Sequence, residues 1–173
     1  MDMARQVWDE SRHVEIYLRL LEHLGGYAGE FPETTILWRC ACAEDAAARV
    51  AGVNRGLEGL ACDVFNQLVH IARKIGDPIL ERAVDFVLAD EITHVRMGSK
   101  WLNEADRGRP RAPAAGDRVQ ESIDERFNLG GVRREGDHDA VPISIATDVR
   151  RLAGFTEEEI ERLIKTTQRS QVY

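Results

Sequence analysis

Asp9-Glu10-Ser11-Arg12-His13-Val14, near the start of the chain, and Asp90-Glu91-Ile92-Thr93-His94-Val95, in its middle, are one phrase written twice. In each, a Glu precedes a His by three residues. On an α-helix, positions i and i+3 lie about 60° apart and one turn along, so both side chains share a face. Both phrases sit in helix-forming sequence. From Met3 to Leu24, apolar or special residues recur at 3, 7, 10, 14, 17, 21 and 24, an alternation of threes and fours that predicts a bundle helix with this seam inward. Around the second phrase, positions 84, 88, 91, 95, 98 and 102 form a like seam in a helix expected from Pro78 to about Glu104. Glu10 and Glu91 thus stand where their seams otherwise carry Val, Leu or Tyr.

Between these helices, Gly25-Gly26 ends the first, and the Gly- and Glu-rich connection containing Pro32 reads as a loop. A second helix is expected from near Glu44 to Lys74. It is apolar on more than one side (Val50, Val53, Leu57, Leu60, Val64, Leu68, Ile71) and so should be largely buried. Gly76-Asp77-Pro78 breaks it, with Pro78 placed to open the third. The stretch DRGRPRAPAAGD, residues 106–117, is a linker by composition. Beyond it the pattern predicts a short helix from Asp117 to Phe127, a Gly-rich charged loop from Asn128 to Asp139, and paired helical turns from Ser144 to Thr167 divided at Ala153-Gly154-Phe155. Thr156 and Glu159 have capping-box spacing. The expected organisation is a helical bundle over 1–105 and a C-terminal appendage of linker and short helices over 106–173.

A formal net charge of −7 argues against nucleic acid as a partner, because phosphates call for a basic surface. No apolar run approaches the roughly 20 residues a membrane helix needs, and MDMARQVWDE is no signal region, so no membrane partner and a cytoplasmic location are expected. Cys40, Cys42 and Cys62 lack Cys-x-x-Cys spacing, which excludes a zinc ribbon of that form and leaves them as small packing residues.

A buried carboxylate costs several kcal/mol unless it is protonated, paired or bound to metal. One Glu-x-x-His from each of two helices, with a lone Glu from others, is how a dimetal centre is built in a bundle core. The middle helix supplies Glu58, between Leu57 and Leu60 and flanked by Gly56 and Gly59; glycines there are poor helix design unless something approaches closely. Glu10 with His13 would hold one metal, Glu91 with His94 the other, and Glu58 would bridge. Asp9 and Asp90 could each take the second ring N–H of the opposite helix's histidine, with Arg12 balancing charge. Cys62, one turn beyond Glu58, is a packing residue beside the site or a soft ligand. The competing structural reading pairs the carboxylates with Arg12, Arg96 or Lys100 and leaves Glu58 on a solvated face. His70 reads as a core histidine and His23 as a helix C-terminal residue. A third match, Glu135 to His138, falls in the Gly-rich loop, where no helix would align it.

DESRH resembles the Asp-Glu-x-Arg-His signature of bacterial multicomponent monooxygenases and related diiron carboxylate proteins. VLADEITHVRMGSKWL and GLEGLACDVFNQLVHIARKIGDP resemble bacterial ferritin-like domain proteins over roughly residues 1–105, and PISIATDVRRLAGFTEEEI is similar to their tail. The resemblance implies an all-α, ferritin-like antiparallel helical bundle with three long helices visible, and a nonheme diiron or iron–manganese centre on Glu10, His13, Glu58, Glu91 and His94. The superfamily has a further Glu-bearing helix ahead of the first Glu-x-x-His. Here an upstream helix, a second copy completing the bundle as a homodimer, or Glu121 or Glu125 would have to replace it. The expected function is O2-dependent oxidation of a small organic substrate. The alternatives are an iron-handling ferroxidase and a degenerate scaffold.

Overall fold

Short turns with fixed chemistry join the long helices. Gly76 adopts φ 73°, the left-handed conformation that ends a helix without a Cβ penalty. Asp77 then accepts hydrogen bonds at Oδ1 from the backbone N–H groups of Ile79 and Leu80, each 3.0 Å, and Pro78 begins the next helix. The computed structural model describes residues 1–31, 35–105 and 144–170, and over these the chain is all-α. The helices are α1 (Asp2–His23), α2 (Ile36–Ala41), α3 (Ala46–Val50), α4 (Glu58–Ile75), α5 (Pro78–Ala105), α6 (Thr147–Leu152) and α7 (Glu157–Ser170). A π-helical stretch, Ala51–Leu57, joins α3 to α4, so the middle helix runs unbroken but is wound wider for one segment. The linker, the helix expected from Asp117, Glu121 and Glu125, the loop to Asp139, Glu135, His138 and Pro32 lie outside the described residues.

Side-chain pairs give the directions. Asp2 meets Lys100 and Trp101, Asp9 meets His94, and His13 meets Asp90, so α1 runs antiparallel to α5. Gln6 meets Glu58 and Tyr17 stacks near Phe65, so α1 is parallel to α4. Across the bundle end, His23 Nε2 lies 2.8 Å from Asp77 Oδ2.

The seam expected on α5 is buried at Val84, Leu88, Glu91, Val95 and Gly98. That on α1 needs correction. Its inward face is Asp9, His13 and Leu20, while Met3, Val7 and Val14 are exposed, Val7 by 71%. Charge-assisted pairs to α5 turn the polar face inward, and among the described residues no element lies against the Met3–Val14 stripe. The middle helix is likewise only partly as expected: Leu57 is buried, Leu60, Val64 and Leu68 are half-buried, and Ile71 is exposed. His70 is exposed rather than in the core. Helix α2 was not foreseen.

The core is two apolar clusters with a polar layer beside them. Leu20, Val69, Ala72, Leu80 and Val84 pack at the α4–α5 turn end. Cys62, Leu88 and Val95 pack with Ala153, Phe155, Ile160 and Leu163, so α6 and α7 share a core with α4 and α5. Asp63 and Arg150, 0% and 1% exposed, fasten this junction: Arg150 Nε donates to Asp63 Oδ1 at 3.1 Å, and the Ala146 N–H to the same oxygen at 2.9 Å. Gly59 explains itself here, because a Cβ on it would stand 2.6 Å from an Arg150 guanidinium nitrogen. The capping box closes as its spacing predicts: the Thr156 N–H donates to Glu159 Oε2 (2.7 Å) and the Glu159 N–H to Thr156 Oγ1 (3.2 Å).

Candidate metal centre

The two repeated phrases face each other across α1 and α5. Each imidazole is held from behind by the aspartate of the other helix: His13 Nε2 lies 3.2 Å from Asp90 Oδ2, and His94 Nε2 3.2 Å from Asp9 Oδ2. Asp9 is bound by the Arg12 guanidinium and by Arg5 Nε at 3.2 Å, and Arg12 also reaches Asp90 at 3.1 Å. With Nε2–H donated to aspartate, each ring turns Nδ1 toward the interior, and the ring centroids stand 5.9 Å apart. Asp9 and Asp90 thus each lie against the far ring nitrogen of the opposite helix's histidine, and Arg12 and Arg5 both pair with them.

Both Nδ1 atoms look onto the same two carboxylates. Glu10 places Oε2 3.3 Å from His13 Nδ1 and Oε1 3.2 Å from His94 Nδ1. Glu91 places Oε1 3.5 Å from His13 Nδ1 and Oε2 3.8 Å from His94 Nδ1. Glu10 and Glu91, rather than Glu58, are the carboxylates that span both histidines. Glu58 stands on the His94 side: one ligand atom each from Glu10, Glu58, Glu91 and His94 lie within 4.8 Å of one another. Two atoms each about 2.1 Å from a shared ion are at most about 4.2 Å apart, so a small contraction would bring this set onto one cation.

Several features fit a cation better than a structural ion-pair cluster. Among the described residues, Glu91 Oε2 and His94 Nδ1 are buried and make no well-aligned hydrogen bond, their nearest contacts being the ion pairs of His94 Nδ1 with Glu10 and Glu91. The lysine and arginines of the competing reading are engaged elsewhere, Arg12 with the aspartates, Arg96 with the Leu152 carbonyl and Lys100 with Asp2. Glu10 departs from expectation in one respect: its side chain is 45% exposed, because its stripe of α1 is open, so it is not a seam carboxylate shut in the core. Cys62 is fully buried in the apolar cluster, and burial holds its thiol well above the usual range; it packs and is not positioned as a thiolate ligand.

The titratable groups of this cluster shift one another. Burial pushes Glu58 up to about 8, reinforced by the charge of Glu91. Burial opposes the charged form of His94, but Glu10, Glu91 and Asp9 outweigh it and raise the group to about 10. His13 is raised in the same way, chiefly by Glu10 and Asp90 against burial. For Glu10, burial works upward, yet hydrogen bonds with His13 and His94 bring it down to about 2. Tyr17, whose buried hydroxyl has no partner among the described residues, is raised by burial and then by Glu91 and Glu10.

Besides Arg5, two residues at this site were missed in the sequence. Asn54 Nδ2 donates to Glu58 Oε2 (3.1 Å) and to Gln6 Oε1 (2.8 Å), while Gln6 Nε2 donates to Glu58 Oε1. Glu58 is thus held at both oxygens by neutral amides. Each amide sits one turn before a carboxylate, Gln6 before Glu10 and Asn54 before Glu58, which is a legible though weak signal. The π-helical stretch presses Asn54 against α5, where a Cβ on Gly98 would stand 2.6 Å from the Asn54 Cβ.

A family model described as "Protein of unknown function (DUF455)" matches residues 1–161. A protein of Haemophilus influenzae, described as an uncharacterized protein, is 27% identical over 180 residues, covering 99% of this chain and 56% of the relative. The chain therefore spans about half the length of that curated relative. No solved structure matches. Among the described residues, no helix is long and apolar enough to cross a membrane.

Proposed function

The chain belongs to the DUF455 family, and we propose that it is a ferritin-like, nonheme dimetal carboxylate protein, with iron (or iron with manganese) held by Glu10, His13, Glu58, Glu91 and His94. The observation that carries this reading is the crossed arrangement, in which each histidine is oriented by the aspartate of the opposite helix and aims Nδ1 at a shared carboxylate pair. Hydrogen bonding of the distal ring nitrogen to a carboxylate is the usual outer support of a metal-bound histidine. Glu91 Oε2 and His94 Nδ1, buried without a well-aligned hydrogen bond, would both be satisfied by a cation between them.

On this reading the activity is oxidation of a small organic substrate by dioxygen. The bound metal pair would supply redox chemistry toward dioxygen, with an external electron donor returning it to the reduced state, and the chain's own residues set the conditions. Asp9 and Asp90 keep the rings in register, Gln6 and Asn54 hold Glu58, and Arg5 and Arg12 pair with both aspartates. Glu10 and Glu91 span the centre. Glu10, on the open side, is the carboxylate with room to change its mode of contact as coordination changes.

Metal analysis of protein from iron-supplemented cells tests the site, with Glu10→Ala and Glu91→Ala beside the wild type. Near-stoichiometric iron, lost in both variants while helicity is kept, is the expected result. Wild-type protein free of metal, or variants that retain it, would refute the reading.

A further inference from the structure

Resting on that reading, we infer that the C-terminal helices α6 and α7 belong to the centre, and that Arg55 is the positioning residue through which they set Glu58. Two residues that these helices hold stand beside Glu58 on its own helix, Arg55 one turn before it and Gly59 directly after it. The Arg55 guanidinium is 5% exposed and turned toward the C-terminal helices. Its Nη1 donates to Ser99 Oγ at 2.6 Å, its Nη2 donates to Glu159 Oε1, and its Cζ lies 3.9 Å from the centroid of the Phe155 ring. Arg150 approaches the same ring at 4.6 Å. A Cβ on Gly59 would stand 2.6 Å from an Arg150 guanidinium nitrogen and 3.1 Å from Phe155 Cζ. Glu58 is therefore gripped from both sides by one docked turn.

The path from Arg55 to the ligand is one residue long. Asn54, its neighbour in the π-helical stretch, donates to Glu58 Oε2 at 3.1 Å. Consecutive residues of that stretch meet consecutive residues of α5: Asn54 presses on Gly98, and Arg55 donates to Ser99, whose own hydroxyl donates to the Val95 carbonyl at 2.9 Å. A π-helical turn is a rare winding, and here these contacts fix its register. Glu159 supplies the counter-charge that a buried guanidinium requires, and it does so from α7, outside the helices that carry the ligands. Docking alone does not call for this second buried arginine, since Arg150 with Asp63 already fastens α6 to α4. A carboxylate held in place beforehand loses little freedom on meeting a cation, so releasing Arg55 would loosen Asn54 and weaken binding at Glu58.

Anaerobic Co(II) titration of the full chain, read by visible absorbance, tests this with every proposed ligand left in place. Glu159→Gln keeps an oxygen for the Thr156 cap and removes the charge that holds Arg55; Arg55→Lys keeps the charge and loses the fork. Each should weaken Co(II) binding by about 10-fold and alter the absorption band, at wild-type helicity. Leu80→Ala, in the apolar cluster at the turn end, should lower the unfolding midpoint and leave affinity and band as they are. In an Asn54→Ala background, Glu159→Gln should add nothing, because it acts through that amide. Unchanged Co(II) binding in both clamp variants, an equal change in Leu80→Ala, or full additivity with Asn54→Ala would overturn the inference and leave the dimetal reading standing. Wild-type protein that takes up no Co(II) and no Fe(II) would remove both.

Discussion

Helix α4 buries two carboxylates, Glu58 and Asp63, and the fold treats them in opposite ways. Asp63 meets a guanidinium and a backbone N–H, so its charge is matched where it stands. Glu58 meets only the amides of Gln6 and Asn54 and faces the further carboxylates Glu91 and Glu10. A matched buried charge fastens α6 to α4 and asks for nothing more. Glu58 is instead raised by burial and by its carboxylate neighbours, and a cation of the kind proposed above would favour its ionised form.

The contrast is sharpest when each partner is removed in turn. Asp63→Ala leaves Arg150 buried without its counter-ion and should cost about 3–5 kcal/mol, seen as a lower midpoint in urea unfolding. A cost near zero would mean that α6 does not need this pair to dock.

Acidity provides the second comparison. In metal-free protein, Glu58 is raised to about 8, so the folded state resists its ionisation and stability falls as pH rises from about 4.5 to 8. His94, raised to about 10, adds stability that is complete below about 6.5 and is lost as pH climbs to 10. Glu10, lowered to about 2, works the other way, contributing above about 4.5 and failing as pH drops toward 2. Chelator-treated protein should therefore be most stable near pH 4.5, weaken from there as Glu58 is strained, and weaken further above about pH 6.5 as His94 adds its loss, by on the order of a few kcal/mol toward pH 10. Bound metal should reverse that alkaline slope, because Glu58 and the histidines release protons to it. Thermal melts at pH 6 and pH 9, with and without Co(II), decide the matter; parallel curves would mean that these groups do not meet the ion.

Gly98→Ala is the mildest change. Its Cβ would press on the Asn54 Cβ and backbone, which cannot swing aside, so a loss of about 1–3 kcal/mol is expected. Circular-dichroism melts would register it. An unchanged melt would show that the π-helical stretch yields freely.

Much of this was readable before any coordinates. The repeat of Glu-x-x-His, the caps at Gly76-Asp77-Pro78 and Thr156–Glu159, and a close neighbour at Gly59 all follow from local spacing. The rotation of α1 was not readable, because apolar periodicity marks Met3, Val7 and Val14 as a seam without saying whether anything covers it. Gln6 and Asn54 escaped notice for a related reason: an amide becomes part of a site only through what it touches.

The order of residues along each helix decided which groups travel together on a face, since helical geometry ties spacing to direction. Which faces meet, and so which carboxylate spans both histidines and which stands on one side alone, was decided by packing between helices distant in the chain. Burial and unmatched charge are properties of that packing, and no stretch of sequence carries them by itself.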